Sequence, residues 1–234
     1  MTITADHDLA LNPTPAPTGP ARWLVTTLVA VIALALGAAG FALGAVTGGP
    51  DGSSVVPVPA DTSVEVGFAR DMITHHQQAI QMAGITRDRS SDPAVRLLAF
   101  DIETGQLDQV GQLRGWLEIW GKNPNNPGEP MGWMPASESH MDHGANGLMP
   151  GMATPEQMAA LRAAKGQALD VLFLQLMIQH HQGGLPMAQY AVDHASQPVV
   201  RELARAMVKA QSAEVISMEQ MLRDRGATPL PPPF

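Results

Sequence analysis

The chain has 234 residues, no cysteine and a formal net charge of -8 with histidine neutral. With 14 lysines and arginines against 22 acidic residues, it lacks the basic face that a phosphate backbone requires, which argues against nucleic acid as a partner. The missing cysteines exclude a disulfide framework and a thiolate metal site, leaving 14 methionines and 8 histidines as the soft donors.

Residues 1–21 are polar and proline-rich (Pro13, Pro15, Pro17, Pro20) and read as a disordered tail. From Trp23 to Gly49 no residue is charged. A helix over 22–48 is long enough for the roughly 30 Å hydrocarbon core of a bilayer. The apolar run is longer than the 7–15 or so residues of a cleaved signal, so a single transmembrane signal-anchor helix is expected, with secretion the outcome if it is cleaved. Arg22 is the nearest positive charge, which places the tail in the cytoplasm and the body outside. Residues 49–60 form a Gly/Ser/Pro/Val linker.

Helix signals follow. Thr62-Ser63-Val64-Glu65 has capping-box spacing, with Thr62 as the cap of a first helix reaching about Thr86. Ser91-Asp92-Pro93 starts a second, which runs to Trp120 and stops at Gly121 and Pro124. The crossover 121–153 is broken by prolines and glycines, yet carries Met131, Met134, His140, Met141, His143, Met149 and Met152. Thr154-Pro155-Glu156-Gln157 is a second capping box, opening a short helix that Gly166 ends. A third long helix is expected over about Gln167–His194. A fourth runs from Gln197-Pro198 to Arg225-Gly226, and a proline-rich tail, 226–234, follows.

The first and third long helices share one motif. Met72-Ile73-Thr74-His75-His76-Gln77 returns 105 residues later as Met177-Ile178-Gln179-His180-His181-Gln182. At that fixed offset, 65–117 matches 170–222 at 19 of 53 positions, a duplicated αα-hairpin. Two such hairpins with one long crossover predict an all-α four-helix bundle over 61–225.

At 100° per residue, Phe68, Met72, His75, His76, Met82 and Ala83 share an arc of about 120°, the face a bundle helix turns inward. Phe173, Met177, His180, His181, Met187 and Ala188 repeat it. Met72, His75, His76, Met82, Met177, His180, His181 and Met187 are therefore the primary candidate metal ligands. Thioether and imidazole together favour Cu(I) or Ag(I), while imidazole also accepts Cu(II), Zn or Ni. The competing reading is core methionine and hydrogen-bonded buried histidine. It accounts poorly for two adjacent imidazoles kept in both copies.

The methionines and histidines of the crossover are secondary candidates, because exposed methionine in a polar loop has no packing role. Gln211, Glu214, Met218 and Met221 form one stripe of the fourth helix, read as core with a polar edge. One departure breaks the duplication: Gly183-Gly184-Leu185-Pro186 stands where the first copy has Gln78-Ala79-Ile80-Gln81. Pro186 is expected to kink or open the third helix near His180 and His181, making the half-sites unequal.

The motif Phe-x-x-x-Met-Ile-x-His-His-Gln followed by Met-Ala, met at Phe68–Ala83 and again at Phe173–Ala188, resembles the DUF305 family. Gln211, Glu214 and Val215 also match the family's later helix, where the first copy departs with Gln106, Gln109 and Val110. Met149–Thr154 is similar to extracytoplasmic members. The resemblance covers about 61–225. It implies a ferritin-like bundle and, from some members, periplasmic copper or silver binding.

Three functions compete. The first is a membrane-anchored extracytoplasmic copper-binding protein of metal homeostasis or resistance, non-enzymatic, acting alone, as a homo-oligomer or with a copper-handling partner. The second is a metal-free structural or interaction bundle at the cell surface. The third, a di-metal oxidase, needs Glu-x-x-His pairs, which the chain lacks.

Overall fold

The computed structural model describes residues 57–135 and 147–233. The expected membrane helix 22–48, the tail 1–21 and most of the linker lie outside them, as do His140, Met141 and His143. The described helices belong to the unit that begins at Val58. Among the described residues there are five helices and no strand. These are α1 (Val64–Arg89), α2 (Pro93–Ile119), the short α3 (Pro155–Ala163), α4 (Gly166–His194) and α5 (Pro198–Asp224). None of the five is long and apolar enough to cross a membrane.

Local chemistry sets the ends. Ser63, not Thr62, caps α1, its hydroxyl accepting from Val66 N at 3.3 Å. The predicted cap is displaced by one residue because Glu65 is occupied elsewhere. Its Oε1 accepts from Ser196 N at 2.5 Å, Ser196 Oγ at 2.7 Å and Gln197 N at 3.2 Å. The carboxylate of one hairpin thus serves the free amides before α5 in the other. Asp92 caps α2, and the Thr154/Gln157 capping box of α3 forms as expected. Gly166, at φ 54°, opens α4 rather than ending α3. α4 continues through Pro186 to His194.

α1 pairs with α2 and α4 with α5, each hairpin closed by a three-residue turn. The hairpins meet through α1 and α4, which run antiparallel. Glu65 at the start of α1 reaches the end of α4, while Arg89 at its finish donates to Ala164 O before α4 begins, at 2.8 Å. The apolar side chains divide into two clusters. One holds Phe68, Met72, Leu113, Met187, Val200 and Met207; the other holds Met82, Ile102, Phe173, Met177, Met218 and Leu222. Each fully buried Leu, Met or Phe contributes about 1.5–3 kcal/mol.

The crossover is tied down by a buried carboxylate. Asp71 accepts from Met131 N at 2.6 Å, Trp133 Nε1 at 2.8 Å and Asn126 Nδ2 at 2.9 Å. Burial pushes its carboxyl above the ordinary range, and those three donors oppose the shift. They also hold Met131 at φ 61°, a conformation costly for a side chain with a Cβ. The proline-rich tail does not simply trail away. Gln175 and Gln179 of α4 donate to Thr228 O at 2.7 Å and Pro231 O at 2.6 Å.

Glu65→Ala removes three accepted hydrogen bonds and should lower stability by about 1–3 kcal/mol. Urea denaturation of the variant against wild type, at pH 7, measures it.

Candidate metal centre

The four imidazoles of the duplicated motif meet where α1 crosses α4. His75, His76 and His181 are 0% exposed and His180 is 1% exposed. The rings of His75 and His180 are 3.9 Å apart between centroids, inclined at 40°. Gly184 makes this close approach feasible. A Cβ there would stand 3.1 Å from His75 Cε1 and 3.3 Å from Gln211 Oε1.

Every imidazole is held by its Nε2 atom. His75 donates to Pro150 O at 3.1 Å and His180 to the His75 carbonyl at 3.0 Å. His76 pairs with Gln109 Oε1 at 2.7 Å and His181 with Glu214 Oε2 at 2.6 Å. A carbonyl or carboxylate oxygen accepts, so each Nε2 carries a hydrogen, and in a neutral ring the lone pair then lies on Nδ1. The Nδ1 atoms of His75, His76 and His181 are buried without a hydrogen-bond partner, and so is Gln211 Oε1.

Buried polar atoms are nearly always satisfied. Leaving each of these nitrogens unpaired costs roughly 1–3 kcal/mol, a heavy load for a domain whose whole stability is about 5–15 kcal/mol. Their donor chemistry fits a soft or borderline cation. The anchored Nε2–H is the supporting contact that metal-bound imidazoles ordinarily make. Burial also disfavours protonation of His75, His76 and His180. Desolvation lowers His75 to about 4 and His76 to about 3, and it lowers His180 well below its ordinary value.

The structure brings together part of the expected ligand set. All eight primary candidates are fully buried, as the helical spacing requires. The methionines, however, flank the histidine layer. Met72 and Met187 enter one apolar cluster, and Met82 and Met177 the other. Among the described residues no three of His, Asp and Glu converge as a ligand group. A cation at this layer would therefore need thioether or amide donors beside the imidazoles.

The crossover methionines need a correction. Met131, Met134 and Met149 are not exposed. They are 3%, 7% and 4% accessible and pack with Met72, Met187 and Met207, while Met152 is half-buried against the same cluster. Asp71 draws the start of the loop onto the bundle and Gln78 holds its end, so packing supplies these methionines with a role.

Three supporting residues lay outside the expected site. Gln109 and Glu214 occupy equivalent positions of the duplication, each 33 residues beyond its histidine. That equal spacing was the available signal. Pro150, acting through its carbonyl, left none.

A depressed imidazole pKa binds fewer protons in the folded state than in the unfolded one. Its stabilising contribution is complete above about pH 6.5 and is lost as pH falls toward the folded values of about 4 and 3. The denaturation midpoint should therefore drop between pH 6.5 and 5, above the ordinary carboxylate range. A His75→Leu, His76→Leu variant should show a shallower drop over that interval by urea titration.

The family model described as Domain of unknown function (DUF305) matches residues 65–222. No curated protein matches the chain. Among solved structures it is similar to a DUF305 protein from Streptomyces coelicolor, at 42% identity and TM-score 0.67, covering 73% of this chain and 99% of that one. A DUF305 fragment from Deinococcus radiodurans is 33% identical with TM-score 0.58, covering 72% and 99% of the two chains. CopM in its Cu(II)-bound form is 27% identical with TM-score 0.54, covering 70% and 97%. The matched segment holds both histidine pairs and most of the chain, and the protein belongs to the DUF305 family.

Proposed function

We propose that this protein is an extracytoplasmic copper binder, anchored in the membrane by segment 22–48, that takes Cu(I) foremost and also Ag(I) and Cu(II). The observation that carries the reading is the set of three buried, unpartnered Nδ1 atoms on imidazoles whose opposite nitrogens are anchored. Thioethers lie in the clusters on both sides of that layer, which suits a soft monovalent ion. CopM, solved in Cu(II)-bound and Cu(I)-bound forms at 27% and 26% identity, supports the same class of cargo. The work is binding and transfer in copper homeostasis or resistance, not turnover. The burial of Met131, Met134 and Met149 favours packing over capture for those side chains. His75, His76, His180 and His181 are accordingly the principal ligands.

Titration of the full chain with Cu(I), Ag(I), Cu(II) and Zn(II) against a competing chelator tests this. Replacing all four histidines by Ala should weaken Cu(I) and Ag(I) by more than about 100-fold, beyond the 10–100-fold that losing a supporting partner produces. Circular dichroism verifies that the variant still folds. Undiminished binding in the variant would move the site to the crossover. No binding by the wild type would overturn the copper reading and leave the structural bundle.

A further inference from the structure

The end of the crossover, Leu148–Ala153, lies as a strap across the histidine layer, and the two copies of the duplication receive it in opposite ways. Gln78 and Gly183 are equivalent positions at the 105-residue offset. Gln78 clamps the strap: its Nε2 donates to Ala153 O at 2.9 Å and its Oε1 accepts from Ala153 N at 2.6 Å. Gly183 makes room for it. A Cβ at 183 would stand 2.1 Å from Pro150 O and 2.6 Å from Gly151 N. Gly151 returns the fit. It sits at φ 75°, and a Cβ there would lie 2.2 Å from Gln179 O. The obstructing atoms are backbone, so no side-chain rotation relieves the clash. Pro150 O then accepts the Nε2–H of His75 at 3.1 Å.

This geometry accounts for the break in the duplication. Position 183 is glycine because the strap passes over that turn of α4, and position 78 is glutamine because the strap must be held from α1. We infer that Leu148–Ala153 controls access to the histidine layer and sets the tautomer of His75, with Gln78, Gly151 and Gly183 as the residues that determine that access. The inference rests on the copper reading for the identity of the cargo. A hydrated cation cannot reach nitrogens with no solvent exposure unless something opens. Parting α1 from α4 would disrupt both apolar clusters, whereas lifting the strap breaks three side-chain hydrogen bonds and exposes Met149 and Ala153. The strap is the low-cost opening, the part of a fold from which gating elements are drawn. Its release also frees His75 Nε2, so opening and ligand rearrangement are one event.

Gln78→Ala and Gly183→Ala in the full chain test this from opposite directions, one removing the clamp and the other forcing the strap off. Stopped-flow association of Ag(I), a monovalent ion without redox chemistry under these conditions, should accelerate about tenfold or more in both, with dissociation rising in parallel. A metal-free arm follows carbethoxylation of each histidine by peptide mass. His75 should react faster in both variants, while the exposed His194 reacts at the wild-type rate. Wild-type association rates and wild-type His75 reactivity in two folded variants would overturn the inference. If wild type binds no Ag(I), the copper reading fails instead. The carbethoxylation rates then decide the strap alone, faster His75 reaction supporting it and an unchanged rate sinking it.

Discussion

Four imidazoles buried at one helix crossing impose the constraint from which the rest of this structure follows. A bundle interior supplies mostly apolar contact, which does not answer a ring N–H. Each Nε2–H must find an acceptor brought in from elsewhere. The chain provides four: a glutamine on α2, a glutamate on α5, a strap carbonyl and the backbone carbonyl of another histidine. Both hairpins, the crossover and the α1–α4 contact are committed to that task. With Nε2 satisfied, the Nδ1 atoms of His75, His76 and His181 face an interior that offers them nothing. A cation is the partner whose chemistry fits them.

The duplication built this layer but did not leave it symmetric. His76 and His181 are held in the same way, by side chains at equivalent positions, though one holder is a neutral amide and the other a carboxylate. His75 and His180 are held differently, because one crossover cannot serve two related positions at once. The strap lies on α4 over Gly183 and contacts α1 through Gln78, so the local two-fold relation fails where the loop passes. A similar imbalance holds at the ends. Glu65 reaches Ser196, whereas its counterpart Asp170, one methylene shorter, leaves Oδ1 buried without a partner.

Much of the site was legible in the amino-acid order. Helical spacing placed Met72, His75, His76 and Met82 on one inward face, and all are fully buried. The crossover methionines were misread because burial was judged from polar neighbours in sequence. The surroundings of Met131 are set by Asp71, some 60 residues earlier, which gathers Met131, Trp133 and Asn126 onto α1, and the far end of the crossover is held by Gln78. Pro186 was expected to kink or open α4; the helix runs through it to His194, and the neighbouring glycines face the strap and His75.

By itself the sequence determined the all-helical class, the paired hairpins and the inward histidine faces, because periodicity and capping are local properties written within a few turns of chain. Only the tertiary structure decided which acceptor holds each Nε2–H, how the methionines divide around the histidine layer and what closes over it. Those outcomes depend on contacts between residues 33, 75 and 105 positions apart. No local pattern encodes which distant carbonyl will stand opposite a ring N–H once the helices have packed.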